Sequence, residues 1–325
     1  MKEFDWITRY LRPLASPKGA AQGLLDDAAH FHIAKDLLPA EQGKNSEQRL
    51  VISCDTLVEG VHFFHGDDPL LLAKKALRVN LSDIAAKGAR PYGFFSALSL
   101  PRDLPKSWYE AFSAGLAQDM QHYDLALFGG DTTRAPHDLT ITITMLGLTQ
   151  RSLLRSGALA GDLIAVGGKI GQGYFGLLAA QKQAGLSATE REALAHYHCP
   201  EPQVALGQAL SRCKGVHASM DISDGLLADL RHMAEASALL AKVDATQIPL
   251  IDNQEAIQEQ LSAGDDYLLL CALNQEALTS LQQQGFMLTK IGRFEQARDE
   301  AAIGVEIYDA QGQKMMFEKF GYSHD

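Results

Sequence analysis

The chain has 325 residues, 46% hydrophobic and 21% charged, and its 29 lysines and arginines face 40 aspartates and glutamates for a formal net charge of −11. That length exceeds what one hydrophobic core usually serves and points to two ordered domains, divided at 1–150 and 151–325. The acidic balance disfavours nucleic acid and anionic membrane as partners, and four widely spaced cysteines, Cys54, Cys199, Cys213 and Cys271, make no CxxC pair for a zinc ribbon or disulfide framework.

Residues 1–10 mix Lys2, Glu3, Asp5 and Arg9 with apolar positions, unlike a signal peptide. No run reaches the ~18 apolar residues that a membrane span needs, so a cytoplasmic protein is expected. Strands are predicted at 50–54, 94–100, 125–128 and 139–148, the last with the alternation Thr140-Ile141-Thr142-Ile143-Thr144 of a half-buried strand. Residues 68–87 predict a helix. Asp68 caps it, Pro69 suits its first turn, Leu70, Ala73, Leu77, Leu81 and Ile84 recur at helical spacing, and Gly88 ends it. After Gln150 the pattern restarts: a strand at 162–166, helices at 174–183 and 202–213, a strand ending at Met220, and a helix at 224–236. Strands at 266–273 and 288–291 with a helix at 275–283 complete the prediction, an α+β chain of two mixed α/β domains.

The informative feature is a set of aspartates at turns and strand ends: Asp26-Asp27, Asp55, Asp131, Asp221, Asp224 and Asp265-Asp266, joined by Asp83 on the first helix. Ser53-Cys54-Asp55, Gly129-Gly130-Asp131 and Asp221-Ile222-Ser223-Asp224-Gly225 each follow an apolar strand, which predicts carboxylates emerging at strand carboxyl ends. A single aspartate beside Gly or Ser serves turns and caps, but the whole set points to a shared metal site. Two unit charges at ~4 Å cost roughly 4 kcal/mol even at an effective dielectric of 20, so converging carboxylates call for a cation. All-oxygen ligands select a hard ion such as Mg²⁺, whose usual companion is polyphosphate.

No familiar nucleotide loop accompanies it. Gly43-Lys44-Asn45 and Gly168-Lys169-Ile170 lack the Ser or Thr of a Walker A loop. Gly171-Gln172-Gly173-Tyr174-Phe175-Gly176 matches GxGxxG, yet Glu190 and Glu192, about 20 residues on, lie in a helical stretch, so a close strand-to-helix turn is the better reading. His196, His198 and Cys199 lack a fourth zinc ligand.

Together these motifs resemble the thiamine-monophosphate kinase family, within the superfamily that includes aminoimidazole ribonucleotide synthetase. The resemblance is collinear over nearly the whole chain. It runs through 25–29, 53–63, Asn80-Leu81-Ser82-Asp83, 129–134, Arg155-Ser156-Gly157-Ala158, 221–226, 262–267 and the closing Gly321-Tyr322-Ser323-His324. It implies an N-terminal mixed-sheet ATP-binding domain, a C-terminal α/β domain completing the site, and ATP-dependent phosphorylation of thiamine monophosphate to thiamine diphosphate. It further implies that Asp27, Ser53, Cys54, Asp55, Asp83, Asp131, Asp221 and Asp224 surround several Mg²⁺ ions. Gly130, Asp131, Arg155 and Ser223 would contact ATP; His62, Asp265 and Tyr322 would contact thiamine monophosphate; and the family forms homodimers through the N-terminal domains. Departures are Leu25 for the usual Gly, Cys54 for Thr, Ala263 for Gly and Asp265 for Glu. The acceptor is a phosphate monoester largely deprotonated at neutral pH, so no general base is required. Alternatives within reach of the same residues are another ATP-dependent synthetase, a metal-dependent phosphohydrolase, or a non-catalytic nucleotide-binding protein.

Overall fold

The computed structural model describes residues 48–182, 184–251 and 256–322, together with the backbone of 29–32. The N-terminal half runs β1 (Ala29–His32), β2 (Arg49–Val58), α1 (Pro69–Ala86), β3 (Arg90–Leu100), α2 (Lys106–Tyr123), β4 (Ala126–Arg134) and β5 (Thr140–Thr149). The C-terminal half runs β6 (Leu163–Val166), α3 (Gln172–Lys182), α4 (Ala188–His198), α5 (Val204–Arg212), β7 (Val216–Ile222), α6 (Leu226–Ala236) and β8 (Leu239–Asp244). It ends with α7 (Ile257–Ser262), β9 (Leu268–Leu273), α8 (Gln275–Gln283), β10 (Thr289–Gln296) and β11 (Gly304–Tyr308). None of the described helices is long and apolar enough to cross a membrane.

The first sheet has the order β1-β2-β5-β3-β4, antiparallel except for the β3–β4 pair. β5 carries out its predicted alternation, burying Ile141, Ile143 and Met145 while its threonines face the other side. Helix α1 covers the inner face, and α2 lies so close to it that a Cβ on Gly115 would stand 2.2 Å from the Leu70 carbonyl oxygen. Among the described residues, Tyr92, Phe95, Leu127 and Phe128 are exposed on β3 and β4.

The second sheet, β11-β8-β10-β6-β9-β7, is antiparallel except for β11–β8. It is covered on both faces. Every residue of β9 is buried, with Leu268, Leu270 and Ala272 joining the core under α6 and Leu269, Cys271 and Leu273 the core under α5 and α8.

Helix α1 belongs to both halves. Its start is fixed as predicted, by Asp68 accepting the Leu70 N–H at 2.8 Å with Pro69 in the first turn. Leu77, Leu81 and Ile84 pack on the first sheet, whereas Ala85 and Ala86 enter the second core. A Cβ on Gly207 of α5 would lie 2.0 Å from the Ala85 carbonyl oxygen, so glycine permits this crossing. Arg78 pairs with Asp119 of α2 at 2.6 Å and Glu201 at 2.9 Å, tying α1 to both sides.

Two sequence expectations need correction. Ser53-Cys54-Asp55 lies in the middle of β2, because the strand continues in register with β5 through Val58. Gly129-Gly130-Asp131 lies within β4, since that strand bulges at Phe128, opposite Phe94 and Phe95, and pairs on with β3 instead of turning. A Cβ on Gly130 would stand 1.8 Å from the Ser96 carbonyl oxygen, so glycine here closes the strand pair. Both sheets are mainly antiparallel, and the strand-end rule of parallel sheets does not govern where the carboxylates emerge. Strands β1, β8 and β11 and helices α2 and α7 were not anticipated.

Candidate active site

A cavity of about 640 Å³ opens where β2, α1, the loop after β7, the loop before β9 and the C-terminal segment meet. Alternation along β2 turns Ser53, Asp55 and Leu57 inward toward α1 and sends Cys54 to the exposed outer face, where Thr144 donates to its Sγ at 3.4 Å. The Cys54 thiol is therefore directed away from Ser53 and Asp55.

Asp55, Asp83, Asp221 and Asp224 line the cavity together. The Ser53 hydroxyl donates to Asp83, and the Ser82 hydroxyl donates to Asp221 at 2.6 Å across the junction of the two halves. Asn80, one turn before Asp83, accepts the Asp55 N–H at 3.1 Å and is itself anchored by donating to the Ala76 carbonyl at 3.0 Å. The predicted segment Asn80-Leu81-Ser82-Asp83 thus gives three polar side chains to the site and Leu81 to the core.

Asp55, Asp83 and Asp221 resist ionisation. Burial, and to a smaller extent the charge of Asp224, push Asp55 up to about 6 against the hydrogen bond linking it to Asp83. Asp83 is held well above the carboxylate range by burial and then by Asp55 and Asp221; Asp221 is raised by burial against the bond from Ser82. The donor set is oxygen only, with Asp221 buried and Asp55, Asp83 and Asp224 half-buried at the cavity wall, which fits a hard divalent ion. Among the described residues no three His, Cys, Asp or Glu side chains are grouped closely enough to hold a metal ion by themselves.

Asp224 and Ser223 sit on a loop held from behind by Asp229, a residue the sequence reading passed over. One oxygen of its buried carboxylate accepts the N–H groups of Ser223, Asp224 and Gly225 at 3.0, 3.1 and 3.1 Å. The only sequence signal is an aspartate in the first turn of a helix, which many helices carry. The Tyr322 N–H donates to the Asp224 carbonyl at 2.9 Å, bringing the C-terminal segment onto the same loop.

His62, Asp265 and Tyr322 line the same cavity. His62 Nδ1 accepts the Val58 N–H at 3.0 Å, which leaves Nε2 to carry the proton of a neutral ring. Asp265 holds a left-handed backbone, φ 67°, and its N–H donates to the Ser223 carbonyl at 2.9 Å.

The remaining expected residues stand apart. Asp131 and Gly130 are exposed on edge strand β4, with β3 and β5 between them and β2, a separation of ~14 Å at normal strand spacing. Arg155 lies in a short 3₁₀ turn against β7 and α6, where its charge acts on Asp229 behind the loop. Neither it nor Asp131 lines the cavity. Asp27 is outside the described residues. The GxGxxG segment opens α3, but the Asp266 carboxylate fills the anion position, accepting Gly171 N–H at 2.9 Å and Gly173 N–H at 3.0 Å. The helix end is already capped.

The family description "AIR synthase related protein, N-terminal domain" matches residues 25–149, and the corresponding C-terminal domain matches 160–305. The chain is 38% identical over 336 residues to thiamine-monophosphate kinase of Salmonella typhimurium, covering 99% of this chain and 98% of that protein. With the Caulobacter vibrioides enzyme of the same name the identity is 36% over 341 residues, covering 99% and 90%. The solved structure of AaThiL complexed with AMPPCP and TMP superposes with a TM-score of 0.84 at 28% identity, covering 100% of this chain and 97% of that one.

Proposed function

The chain belongs to the AIR synthase related family and, within it, to the thiamine-monophosphate kinases, and from that premise we propose how its residues divide the ATP-dependent phosphorylation of thiamine monophosphate. The observation that carries the proposal is the cluster of mutually repelling, at least half-buried carboxylates that both halves contribute to one cavity. Asp55, Asp83, Asp221 and Asp224, with Ser53, the Cys54 main chain, Asp27 and Asp131, would hold Mg²⁺. When bound, the ion supplies charge neutralisation for the phosphates.

An oxygen of the acceptor phosphate bonds to the γ-phosphorus of ATP while the bond to the bridging β–γ oxygen breaks, and ADP leaves with that electron pair. The acceptor is already deprotonated at neutral pH and needs no protein base. Ser223, on the loop braced by Asp229, and Arg155, Gly130 and Asp131 are assigned to ATP. His62, Asp265 and Tyr322 are assigned to thiamine monophosphate.

We further propose a cytoplasmic homodimer divided at residue 150 into two domains, with no nucleic acid or membrane partner. The dimer is supported by the exposed aromatic patch that the described residues leave on the outer face of the first sheet, where Phe128 stands 5.3 Å from Tyr92 and 5.8 Å from Phe95, ring centre to ring centre. A second copy over that face would also cover the edge strand that carries Asp131. Sedimentation should give twice the chain mass for the wild type and a monomer for Phe128→Glu; a wild-type monomer removes the dimer.

The activity is tested by incubating protein, ATP, Mg²⁺ and thiamine monophosphate and separating the products. Thiamine diphosphate should accumulate one-for-one with ADP. ADP with free phosphate and no thiamine diphosphate would favour a phosphohydrolase.

A further inference from the structure

Lysine 75 is the least expected side chain around the cavity. It sits on α1 beside Lys74, yet only 2% of it is exposed, whereas Lys74 is half-buried. A buried ammonium needs partners, because an unpaired charge in a low-dielectric interior is costly. Its partners all come from the acceptor side. Lys75 Nζ donates to the His62 carbonyl at 3.1 Å, stands 3.6 Å from Asp265 Oδ2, and lies 3.8 Å from the centre of the Tyr197 ring. Asp265 is held from its other oxygen by the Tyr267 hydroxyl at 2.9 Å. His62, Tyr197, Asp265 and Tyr267 line the cavity, and Lys75 lies beneath them.

Three separate chain segments therefore converge on one ammonium: the turn after β2, the end of α4 and the loop before β9. The last needs such an anchor, since Asp265 and Tyr267 both adopt left-handed backbone conformations, φ 67° and 49°, that side-chain-bearing residues rarely hold unless surrounding contacts fix them. Burial draws the Lys75 pKa down from its ordinary value, while the charge and hydrogen bond of Asp265 pull it back up, so the two charges support one another.

We propose that Lys75 is the positioning residue of the acceptor half of the cavity, fixing Asp265, the His62 segment and the Tyr197 ring in the arrangement that receives thiamine monophosphate. It acts through these residues. The inference rests on the reading of the cavity as a thiamine-monophosphate site and deepens it by naming what sets acceptor affinity separately from ATP affinity.

The test is steady-state kinetics of wild type, Lys75→Met, Lys75→Arg and Asp265→Asn, varying each substrate at saturating levels of the other, with thermal melts as the record of folding. Lys75→Met should raise KM for thiamine monophosphate about tenfold or more, the scale of a slightly misplaced binding group, and leave KM for ATP within about twofold. Lys75→Arg should recover most of the loss. In the Lys75→Met/Asp265→Asn double variant the two effects should be less than additive. Equal rises in both KM values, an Arg variant as impaired as Met, or fully additive losses would overturn the proposal. If Lys75→Met fails to fold, the Arg and Asp265→Asn arms decide, and an Asp265→Asn enzyme with unchanged KM for thiamine monophosphate also overturns it. A wild type that makes no thiamine diphosphate would instead remove the underlying reading.

Discussion

Helix α1 presents two charged neighbourhoods to one cavity, eight residues and ~12 Å apart along its axis, and they are built on opposite plans. Around Lys75 the protein supplies its own counterion: ammonium, Asp265 carboxylate, Tyr267 hydroxyl and Tyr197 ring balance one another. Around Asp83 it gathers carboxylates, with Asp55 and Asp221 raising the pKa of Asp83 and only Ser53 and the more weakly felt Lys87 lowering it. The first arrangement is complete as folded. The second leaves its carboxylates unbalanced, and in the proposed reading this difference separates a surface for the organic acceptor from one for metal and polyphosphate.

The sharpest way to break that contrast is to neutralise one carboxylate at each end. Asp221→Asn should cut the rate about 1000-fold, the several kcal/mol expected of a metal-held charge in a phosphoryl transfer. Without metal the variant should be at least as stable as wild type, since a buried charge disappears while the Ser82 bond retains an acceptor. Asp265→Asn should do the reverse. It strands the Lys75 ammonium, costing stability of about 1 kcal/mol for a partly exposed partner, and alters KM more than kcat. Thermal melts with chelator and kcat with saturating Mg²⁺ check both; loss of metal-free stability in Asp221→Asn would show that the acidic end is not electrostatically strained.

How much of this was legible in the sequence follows the range of the forces involved. Helix α1 could be read almost to its ends because Asp68, Pro69 and the apolar spacing are local signals. The carboxylates Asp55, Asp83, Asp221 and Asp224 could be gathered because each sits in a recognisable segment, and all four line the cavity. Strand limits around Ser53–Asp55 and Gly129–Asp131 were misjudged, since polar and glycine residues read as turns until their pairing with β5 and β3 is seen. Lys75 and Asp229 left no usable mark. Which of two adjacent lysines is buried, or which early helical aspartate turns back onto a loop, depends on segments more than a hundred residues away or on a turn whose shape is not local.

A smaller effect separates the two ends by pH. Asp55 rises from an ordinary 3.8 to about 6, and Asp83 and Asp221 are raised too, so the folded metal-free protein binds protons more tightly than the unfolded chain. Stability from these groups is full below about pH 4 and is lost as pH rises through the raised folded values, about 6 for Asp55. Mg²⁺ favours the ionised carboxylates and should act in the opposite sense. The melting temperature in chelator is expected to fall between pH 5.5 and 8; Mg²⁺ should restore several degrees at pH 8, about 2.7 kcal/mol at a hundredfold excess over its Kd, and little at pH 5.5. Asp221→Asn should flatten both responses, whereas Lys75→Arg should leave them intact. A metal effect independent of pH would argue that Mg²⁺ binds away from these carboxylates.

The smallest expected effect concerns the loop that most resembles a nucleotide site and belongs to neither end. Asp266 caps α3 through the Gly171 and Gly173 N–H groups, and burial lifts its pKa to about 7 against those bonds. An anion already occupies the helix N-terminus, so a phosphate has no place there unless Asp266 is displaced. Asp266→Asn keeps one acceptor oxygen but turns an amide toward backbone donors, and should cost about 1–2 kcal/mol of stability. KM for ATP should stay within about twofold, because the nucleotide is assigned to the loop that Asp229 braces. If that KM instead rises tenfold or more while the melting temperature barely moves, the Gly171–Gly173 turn takes part in holding ATP, and the division of the cavity along α1 would have to be redrawn to include it.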